Sequence, residues 1–195
     1  MKKLLISGFD PFGGESINPS YEAVKLLPNV IGEYELTKIE LPTVFGRAAE
    51  IMIEKIEEIR PDAVICVGQA GGRRGITPEV IGINLREASI ADNAGNMPKN
   101  EKIRAGAPDG IFSTLPVREM VEAIKEEGLP ASLSFSAGAF VCNDLLFSLL
   151  YEFKDTDIKI GFIHVPFLPE QAKEGVPSME LAEIVRGLRT AIECL

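Results

Sequence analysis

The chain is poor in the residues that build disulfide frameworks and metal sites. Its 195 residues include three cysteines, Cys66, Cys142 and Cys194, and one histidine, His164. So few cysteines, odd in number and without paired spacing, argue against a disulfide-stapled scaffold. A zinc site would need scattered carboxylates to complete it, so we expect no metal.

Long apolar runs and an excess of positive charge are also missing. No apolar run is long enough to cross a bilayer. The lysine-led start "MKKLLISGF" has too short an apolar part for a signal peptide and lacks a cleavage site. The 20 lysines and arginines are outnumbered by 29 aspartates and glutamates, for a net charge of −9, whereas nucleic acid binding needs a basic surface. We therefore expect a cytoplasmic protein with neither membrane nor nucleic acid as a partner.

Strand and helix patterns alternate along most of the chain. The apolar runs at 2–8 and 61–68 are typical of strands buried on both faces. Apolar residues recur at helical spacing over 48–59, and 116–128 begins with proline and ends with glycine, as helices often do. We predict one α/β domain over residues 1–195, with a twisted, mostly parallel or mixed central sheet and helices on both faces.

Two segments in the middle of the chain have sequence patterns that predict different structures, one a strand and the other a loop. Residues 131–136, "ASLSFS", are predicted to form a strand. Residues 86–115 have no strong periodicity and are rich in turn residues, which predicts a long loop.

Cys142 and His164 are the residues best suited to nucleophilic chemistry. Cys142 follows a small-residue turn in "SAGAFVCNDLLF" and precedes an apolar helical run. The positive end of a helix dipole favours thiolate, although a buried structural cysteine is an equally good interpretation. Cys66, inside an apolar run, is expected to be structural, and Cys194 to be incidental. His164 ends a strand before Pro166 and is the only imidazole available to take a thiol proton.

A third group normally orients the base in such a site. Glu79 begins a predicted strand after a glycine-rich loop and is one candidate. The sequence spacing does not choose between it and its rivals, which are Asp10, Asp92, Asn143 and Asp144.

Two glycine-rich loops could contribute to a site. The loop "GFDPFGG" carries Phe9 and Phe12, which could either fill the core or form walls for a flat ligand. The loop "GQAGGRRG" lacks the lysine of a phosphate-binding loop and is interpreted as a turn whose backbone amides face the site.

The order of these motifs resembles the pyroglutamyl-peptidase I family of cysteine peptidases over nearly the whole chain. The matching motifs are "GFDPFGG", "NPS", "LPTVF", "VGQAGGR", "ITPEVIGIN", "DNAG", "SAGAFVCN" and "FIHVPFLPEQ". The resemblance implies a cytoplasmic α/β enzyme of phosphorylase/hydrolase-like architecture that removes an N-terminal pyroglutamyl residue from peptides through an acyl-enzyme. It also implies no cofactor and a homo-oligomer, usually a tetramer.

The resemblance assigns roles to individual residues. It implies Cys142 as nucleophile, His164 as general base and Glu79 as the acid that orients the base. Phe9 and Phe12 would enclose the lactam ring of the substrate. Further positions around that pocket are Asn18, Gln69, Ile90, Phe140 and Val141.

One segment departs from the family pattern. Many members have "ARIPDN" where this chain has "ASIADN", so that Ser89 replaces an arginine associated with the oxyanion region. Arg86, three residues earlier, is a candidate replacement. The departure leaves open a thiol hydrolase of the same fold that acts on another small cyclic amide or acyl substrate. A binding protein without catalysis is a third interpretation.

Overall fold

A computed structural model describes residues 1–195. The strands are β1 (Lys2–Phe9), β2 (Val30–Ile31), β3 (Tyr34–Leu41), β4 (Ala63–Gln69), β5 (Thr77–Pro78), β6 (Ile81–Ile83), β7 (Gly110–Phe112) and β8 (Lys159–Val165). The helices are α1 (Pro19–Leu26), α2 (Arg47–Ile59), α3 (Val117–Glu126), α4 (Val141–Glu152) and α5 (Leu181–Glu193). None of these helices is long and apolar enough to span a bilayer.

Six of the strands form one mixed sheet in the order β2-β3-β1-β4-β8-β5. The four long strands β3, β1, β4 and β8 run parallel to one another. The short strands β2 and β5 lie at the two edges and are antiparallel to their neighbours. Strands β6 and β7 form a separate antiparallel ribbon.

The alternation of side chains along the central strands divides the core between two faces of the sheet. Leu4 and Ile6 of β1 belong to the cluster that includes residues of α1, α3 and α5. Leu5, between them, belongs to the cluster that includes residues of α2 and α4. Since successive side chains of a strand point to opposite faces, the apolar run of β1 is buried on both sides. The predicted α/β architecture, with helices on both faces of a mixed sheet, is confirmed.

The prediction of a strand over residues 131–136 is wrong. The segment makes only isolated bridges to the chain beside β5. Ser132 donates its N–H to Ile76 O, and Ser134 donates to Pro78 O. Proline has no N–H, so Pro78 cannot donate the bond between these two that a continuous parallel ladder requires.

The long loop predicted over residues 86–115 is partly ordered into regular structure. It contains β7, and Arg86 and Glu101 form an isolated antiparallel bridge within it. The sequence of the segment does not reveal β7, because the strand that pairs with it, β6, lies outside the segment.

Candidate active site

The pairing of β5 with β8 brings Glu79 beside His164. Thr77 is opposite His164 in this antiparallel pair, and the N–H of Glu79 donates to Phe162 O at 2.9 Å. Residues opposite each other in an antiparallel pair share a face of the sheet, so Glu79 is a diagonal neighbour of His164 on that face. Nδ1 of His164 lies 2.6 Å from Oε1 of Glu79, and both side chains are buried.

Cys142 reaches the same face from α4, as the second residue of that helix. Gly68 of β4 is opposite His164 of β8, and a Cβ added at Gly68 would lie 2.9 Å from the Cys142 sulfur. The sulfur therefore lies against the sheet next to the position of His164. A side chain at residue 68 would occupy this space, which is why glycine is needed there.

The first turn of α4 has free backbone donors near the sulfur. The N-cap residue is Phe140, whose side chain makes no capping hydrogen bond. The first N–H groups of a helix have no partner within the helix and carry partial positive charge. The helix start therefore offers donors to a developing negative charge beside Cys142.

Burial controls the protonation of these groups. It lowers the pKa of His164 below its usual value, with Arg73 adding to this effect and Glu79 opposing it. Burial alone would raise the pKa of Glu79, but its hydrogen bond with His164, the nearby Ser134 hydroxyl and its hydrogen bond with Arg73 hold that pKa below its usual value. Burial raises the pKa of the Cys142 thiol to about 12, and Glu79 acts in the same direction.

At neutral pH the thiol and the imidazole are thus uncharged and the carboxylate is ionised. The position at the start of α4 favours thiolate, whereas burial of the sulfur and the nearby Glu79 carboxylate disfavour it. The only side-chain hydrogen bond of His164 is the one to Glu79. Contacts between a nucleophile and its base often tighten only when substrate binds.

Sequence reasoning missed Arg73, which lies in the loop after β4. Its Nη1 donates to Glu79 Oε1 at 2.7 Å and to Thr77 Oγ1 at 2.5 Å, and its Nη2 donates to Ser136 O at 3.1 Å. The arginine pair in "GQAGGRRG", a few residues before Glu79, was the available signal.

Aromatic rings cluster around Phe140, the N-cap residue of α4. The rings of Phe12 and Phe140 have centroids 5.9 Å apart, and Phe45 meets Phe140 edge-on at 5.2 Å. Phe12 and Phe140 are both partly exposed. Phe9 is instead 2 % exposed and belongs to the core, where its ring packs against Phe162. The ring of Phe162 in turn lies 4.7 Å from His164.

Several predicted pocket residues organise the loops around this region. Asn18 caps α1 by accepting from Ser20 N–H, and its Nδ2 donates to Asp10 O at 2.9 Å, which holds the loop that carries Phe12. Gln69 ends β4, and its Oε1 accepts from Gln171 Nε2 at 3.0 Å. Gln171 also donates to Ile17 O at 3.1 Å. Its amide therefore connects the loop after β1 to the end of β4.

The two remaining pocket positions differ in exposure. Ile90 is 47 % exposed, and its Cδ1 would lie 3.9 Å from a Cβ added at Gly13, in the loop of Phe12. Val141, the first residue of α4, is fully buried in the core. No group of three or more His, Cys, Asp or Glu side chains is arranged to hold a metal ion.

The comparisons with known proteins identify the family of the chain. The sequence profile described as pyroglutamyl peptidase matches residues 2–195. The chain belongs to the pyroglutamyl peptidase family.

Relatives and solved structures of the pyroglutamyl peptidase family match nearly the whole chain. A pyrrolidone-carboxylate peptidase of Streptococcus suis is 52% identical over 97% of this chain and 90% of the relative. Another, from Bacillus cereus, is 49% identical over 99% and 92%. The crystal structure of Bacillus amyloliquefaciens pyroglutamyl peptidase I superimposes with a TM-score of 0.96 at 45% identity, covering 100% of this chain and 96% of that one. The Thermococcus litoralis pyrrolidone carboxyl peptidase has a TM-score of 0.95 at 38% identity, covering 100% and 93%.

The rivals of Glu79 all have other partners. Asp10 accepts from Thr43 N–H and hydroxyl, and Asp92 accepts from backbone N–H groups of its own turn. The amide of Asn143 binds the backbone next to β6. Among the five acids and amides considered, Glu79 alone contacts His164.

The departure from the family pattern leaves Ser89 exposed. Arg86 Nε donates to Asp144 Oδ1 at 2.7 Å, and the other carboxylate oxygen accepts from Gly46 N–H. Asp144 is buried. The Arg86 guanidinium is therefore committed to a partly buried ion pair at the start of α4.

Proposed function

We propose that this protein is a cysteine peptidase that hydrolyses the amide bond after an N-terminal pyroglutamyl residue. Cys142 is the nucleophile, His164 the general base and Glu79 the group that orients the base. The observation that carries the proposal is the buried 2.6 Å contact between His164 and Glu79, on the sheet face where the Cys142 sulfur packs at Gly68. The membership of the family supports the reaction class.

The reaction begins with transfer of the thiol proton. Because Nδ1 of His164 faces Glu79, Nε2 is the nitrogen that accepts this proton as sulfur attacks the pyroglutamyl carbonyl carbon. The N–H groups at the start of α4 hold the oxyanion. His164 then gives the proton to the departing peptide amine, and a thioester remains.

Water completes the reaction. His164 takes a proton from the water that attacks the thioester, and the thiol is regenerated with release of pyroglutamate. No cofactor or metal is needed for either half of the reaction.

The pocket recognises a flat and uncharged ring. Phe12 and Phe140 supply partly exposed aromatic surface for the lactam, with Ile90 beside the loop of Phe12, and the backbone of Gln69 is a partner for the lactam polar atoms. Val141, whose side chain is fully buried, contributes its backbone N–H at the start of α4. Phe9 contributes from the core, where it supports Phe162 behind His164. Asn18 acts by holding the loop of Phe12.

Membership of the family supports a proposal for the domain organisation, compartment, assembly and substrates of the enzyme. We propose that residues 1–195 form one peptidase domain, that the protein is a cytoplasmic homo-oligomer, a tetramer, and that peptides with an N-terminal pyroglutamyl residue are its substrates. The three cysteines are unpaired, which fits a reducing compartment.

The proposal is tested by release of a fluorescent amine from a pyroglutamyl amide, beside the prolyl and glutamyl analogues. We expect cleavage of the pyroglutamyl compound alone and its loss on thiol alkylation. Cys142→Ser should abolish turnover in a folded protein. Cys194→Ser is the matched control and should retain both turnover and sensitivity to alkylation. A Cys142→Ser variant that kept most of its activity would refute the mechanism.

The Ser89 departure favours one alternative, a thiol hydrolase acting on another small cyclic amide. That alternative predicts that the reduced, folded protein ignores pyroglutamyl amides and cleaves a different cyclic amide in the same panel. The alkylator and the Cys142→Ser variant would abolish that cleavage as well, so the substrate panel distinguishes the two.

A further inference from the structure

The two oxygens of the Glu79 carboxylate differ in their hydrogen bonds. Oε1 contacts both His164 Nδ1, at 2.6 Å, and Arg73 Nη1, at 2.7 Å. Oε2 is buried and has no hydrogen-bond partner. An unpaired carboxylate oxygen in the interior is costly, so the two contacts to Oε1, with Ser134 nearby, position this carboxylate.

Arg73 connects three parts of the site through its planar guanidinium. Besides Glu79, it contacts Thr77 on β5 and the carbonyl of Ser136. Ser136 begins the segment that leads into α4 and Cys142. A guanidinium fork fixes the directions of several hydrogen bonds at once, which an ammonium group does not.

Arg73 also contributes to the charge balance behind the imidazole. The charged groups that act on His164 are Glu79 beside β5 and Arg73 in the loop after β4, and the titratable thiol of Cys142 on α4 lies against Gly68, the residue opposite His164. Glu79 favours the charged imidazolium and Arg73 opposes it. Arginine stays charged at every relevant pH, so it offsets part of the attraction that the carboxylate exerts on a second proton.

We propose that Arg73 is a positioning residue of the reaction, which fixes the Glu79 carboxylate against His164 and places a positive charge behind the imidazole. The proposal rests on the proposed function, in which His164 accepts the thiol proton. Arg73 acts through its contact with Glu79 and through its charge, which bears on both His164 and Cys142, and it does not touch the reacting atoms.

The single histidine makes the charge effect directly measurable. In protein labelled with ¹⁵N-histidine, only His164 contributes imidazole signals, and its pKa is read from an NMR titration without any turnover. We expect Arg73→Gln to raise this pKa, because it removes a like charge within hydrogen-bonding distance of the shared carboxylate. Arg74→Gln, at the exposed neighbouring position, is the matched control and should leave the titration unchanged.

Steady-state kinetics on the pyroglutamyl amide provide the second readout. Since the base must be uncharged, a raised pKa moves the acidic limb of kcat/KM to higher pH. Arg73→Gln should therefore lose more activity at pH 6 than at pH 8, while Arg74→Gln follows the native profile. A folded Arg73→Gln variant whose titration and acidic limb both match the native protein would overturn the proposal.

Arg73→Lys separates charge from geometry and keeps the proposal testable if Arg73→Gln does not fold. Lysine retains the charge, so the His164 titration should stay near its native position. It lacks the fork, so kcat should fall about tenfold with KM little changed. A native kcat would overturn the positioning role. If the native protein itself cleaved no pyroglutamyl amide, the proposed function would fail, while the NMR titration would still test the coupling of Arg73 to His164.

Discussion

Gly68→Ala is the substitution that tests the site geometry most directly. A methyl group at residue 68 would lie 2.7 Å from Phe162 Cζ and 2.9 Å from the Cys142 sulfur. Both distances are below 3.0 Å, which real Cβ atoms essentially never show. Something in the site must therefore move.

The size of the movement follows from these distances. To reach ordinary contacts of 3.4 Å, the sulfur would have to retreat by about 0.5 Å from 2.9 Å, and the Phe162 ring by about 0.7 Å from 2.7 Å. The ring cannot move freely, because Phe9 and His164 pack against it. Either movement alters the approach of the thiol to the imidazole. Since a misplacement of about 1 Å costs roughly 100-fold in rate, we expect kcat/KM to fall on the order of 10- to 100-fold.

Gly161→Ala provides a matched control on the other face of the sheet. A Cβ at Gly161, on β8, would lie 2.5 Å from Leu115 Cδ1, and Leu115 belongs to the cluster that packs with α3 and α5. Overpacking at either glycine should cost about 1–3 kcal/mol of unfolding free energy. Both changes also remove the same freedom from the unfolded chain.

The assay combines urea denaturation with the kinetics and with the alkylation rate of Cys142. We expect similar losses of stability in the two variants, but a loss of turnover and altered thiol reactivity only in Gly68→Ala. Native kinetics in a folded Gly68→Ala variant would refute the packing of Cys142 against β4. Equal kinetic losses in both variants would show that general destabilisation is responsible.

Four further predictions concern separate parts of the site and its supporting core. His164→Ala should lower kcat/KM on the order of 10²–10⁴-fold, and Glu79→Gln less, because it removes orientation and not the base; equal or reversed losses in steady-state kinetics would give Glu79 another role. The alkylation rate of Cys142, followed by peptide mass spectrometry, should rise with pH across the neutral range because burial raises the pKa of its thiol to about 12; a rate that is flat between about pH 5 and 8 would reveal a preformed thiolate. Asn143→Ala should cost about 2–4 kcal/mol in urea denaturation, since it removes three hydrogen bonds from a fully buried side chain; a native midpoint would contradict this account. Gln171→Leu should raise KM with little change in kcat, because its amide holds the pocket loops together, and an unchanged KM would remove it from the substrate pocket.

The architecture could be predicted because the burial of the central strands is visible in their own residues. Leu4, Leu5 and Ile6 are all fully buried, and a continuous apolar run has this meaning in a parallel sheet. Residues 131–136 show the opposite case. Their alternating pattern is typical of a strand, but the ladder is broken by the missing N–H of Pro78, a residue in the partner segment.

The site could be predicted only in part, because some of its contacts depend on residues that are distant in the sequence. Cys142 and His164 stand out because the chain has so few cysteines and only one histidine. Glu79 lies 85 residues from His164 in the chain, and only the antiparallel pairing of β5 with β8 distinguishes it from its rivals. Arg73 is attached to this pair through a glycine-rich loop without periodicity, so no local pattern indicates its partner.

The protonation of the nucleophile depends on a balance that no local pattern contains. The position of Cys142 in the first turn of α4 favours thiolate, but the packing of the sulfur against β4 raises its pKa to about 12. Burial depends on the tertiary packing of α4, β4 and β8, so it could be recognised only from the folded structure.

An uncharged thiol and imidazole also explain how the site would select its substrate. Glu79 and Arg73 are the ionised groups near His164, and they pair with each other behind the imidazole. The Glu79 carboxylate is therefore not free to pair with a charge on the substrate. A prolyl amide presents a ring of the same size as a pyroglutamyl amide but carries an ammonium group in place of the lactam. Burying that charge without a partner costs several kcal/mol, and each 1.4 kcal/mol is a factor of about ten in affinity. A pocket that encloses the substrate ring would therefore discriminate against prolyl amides by about 100-fold or more, without any residue that contacts the ammonium group.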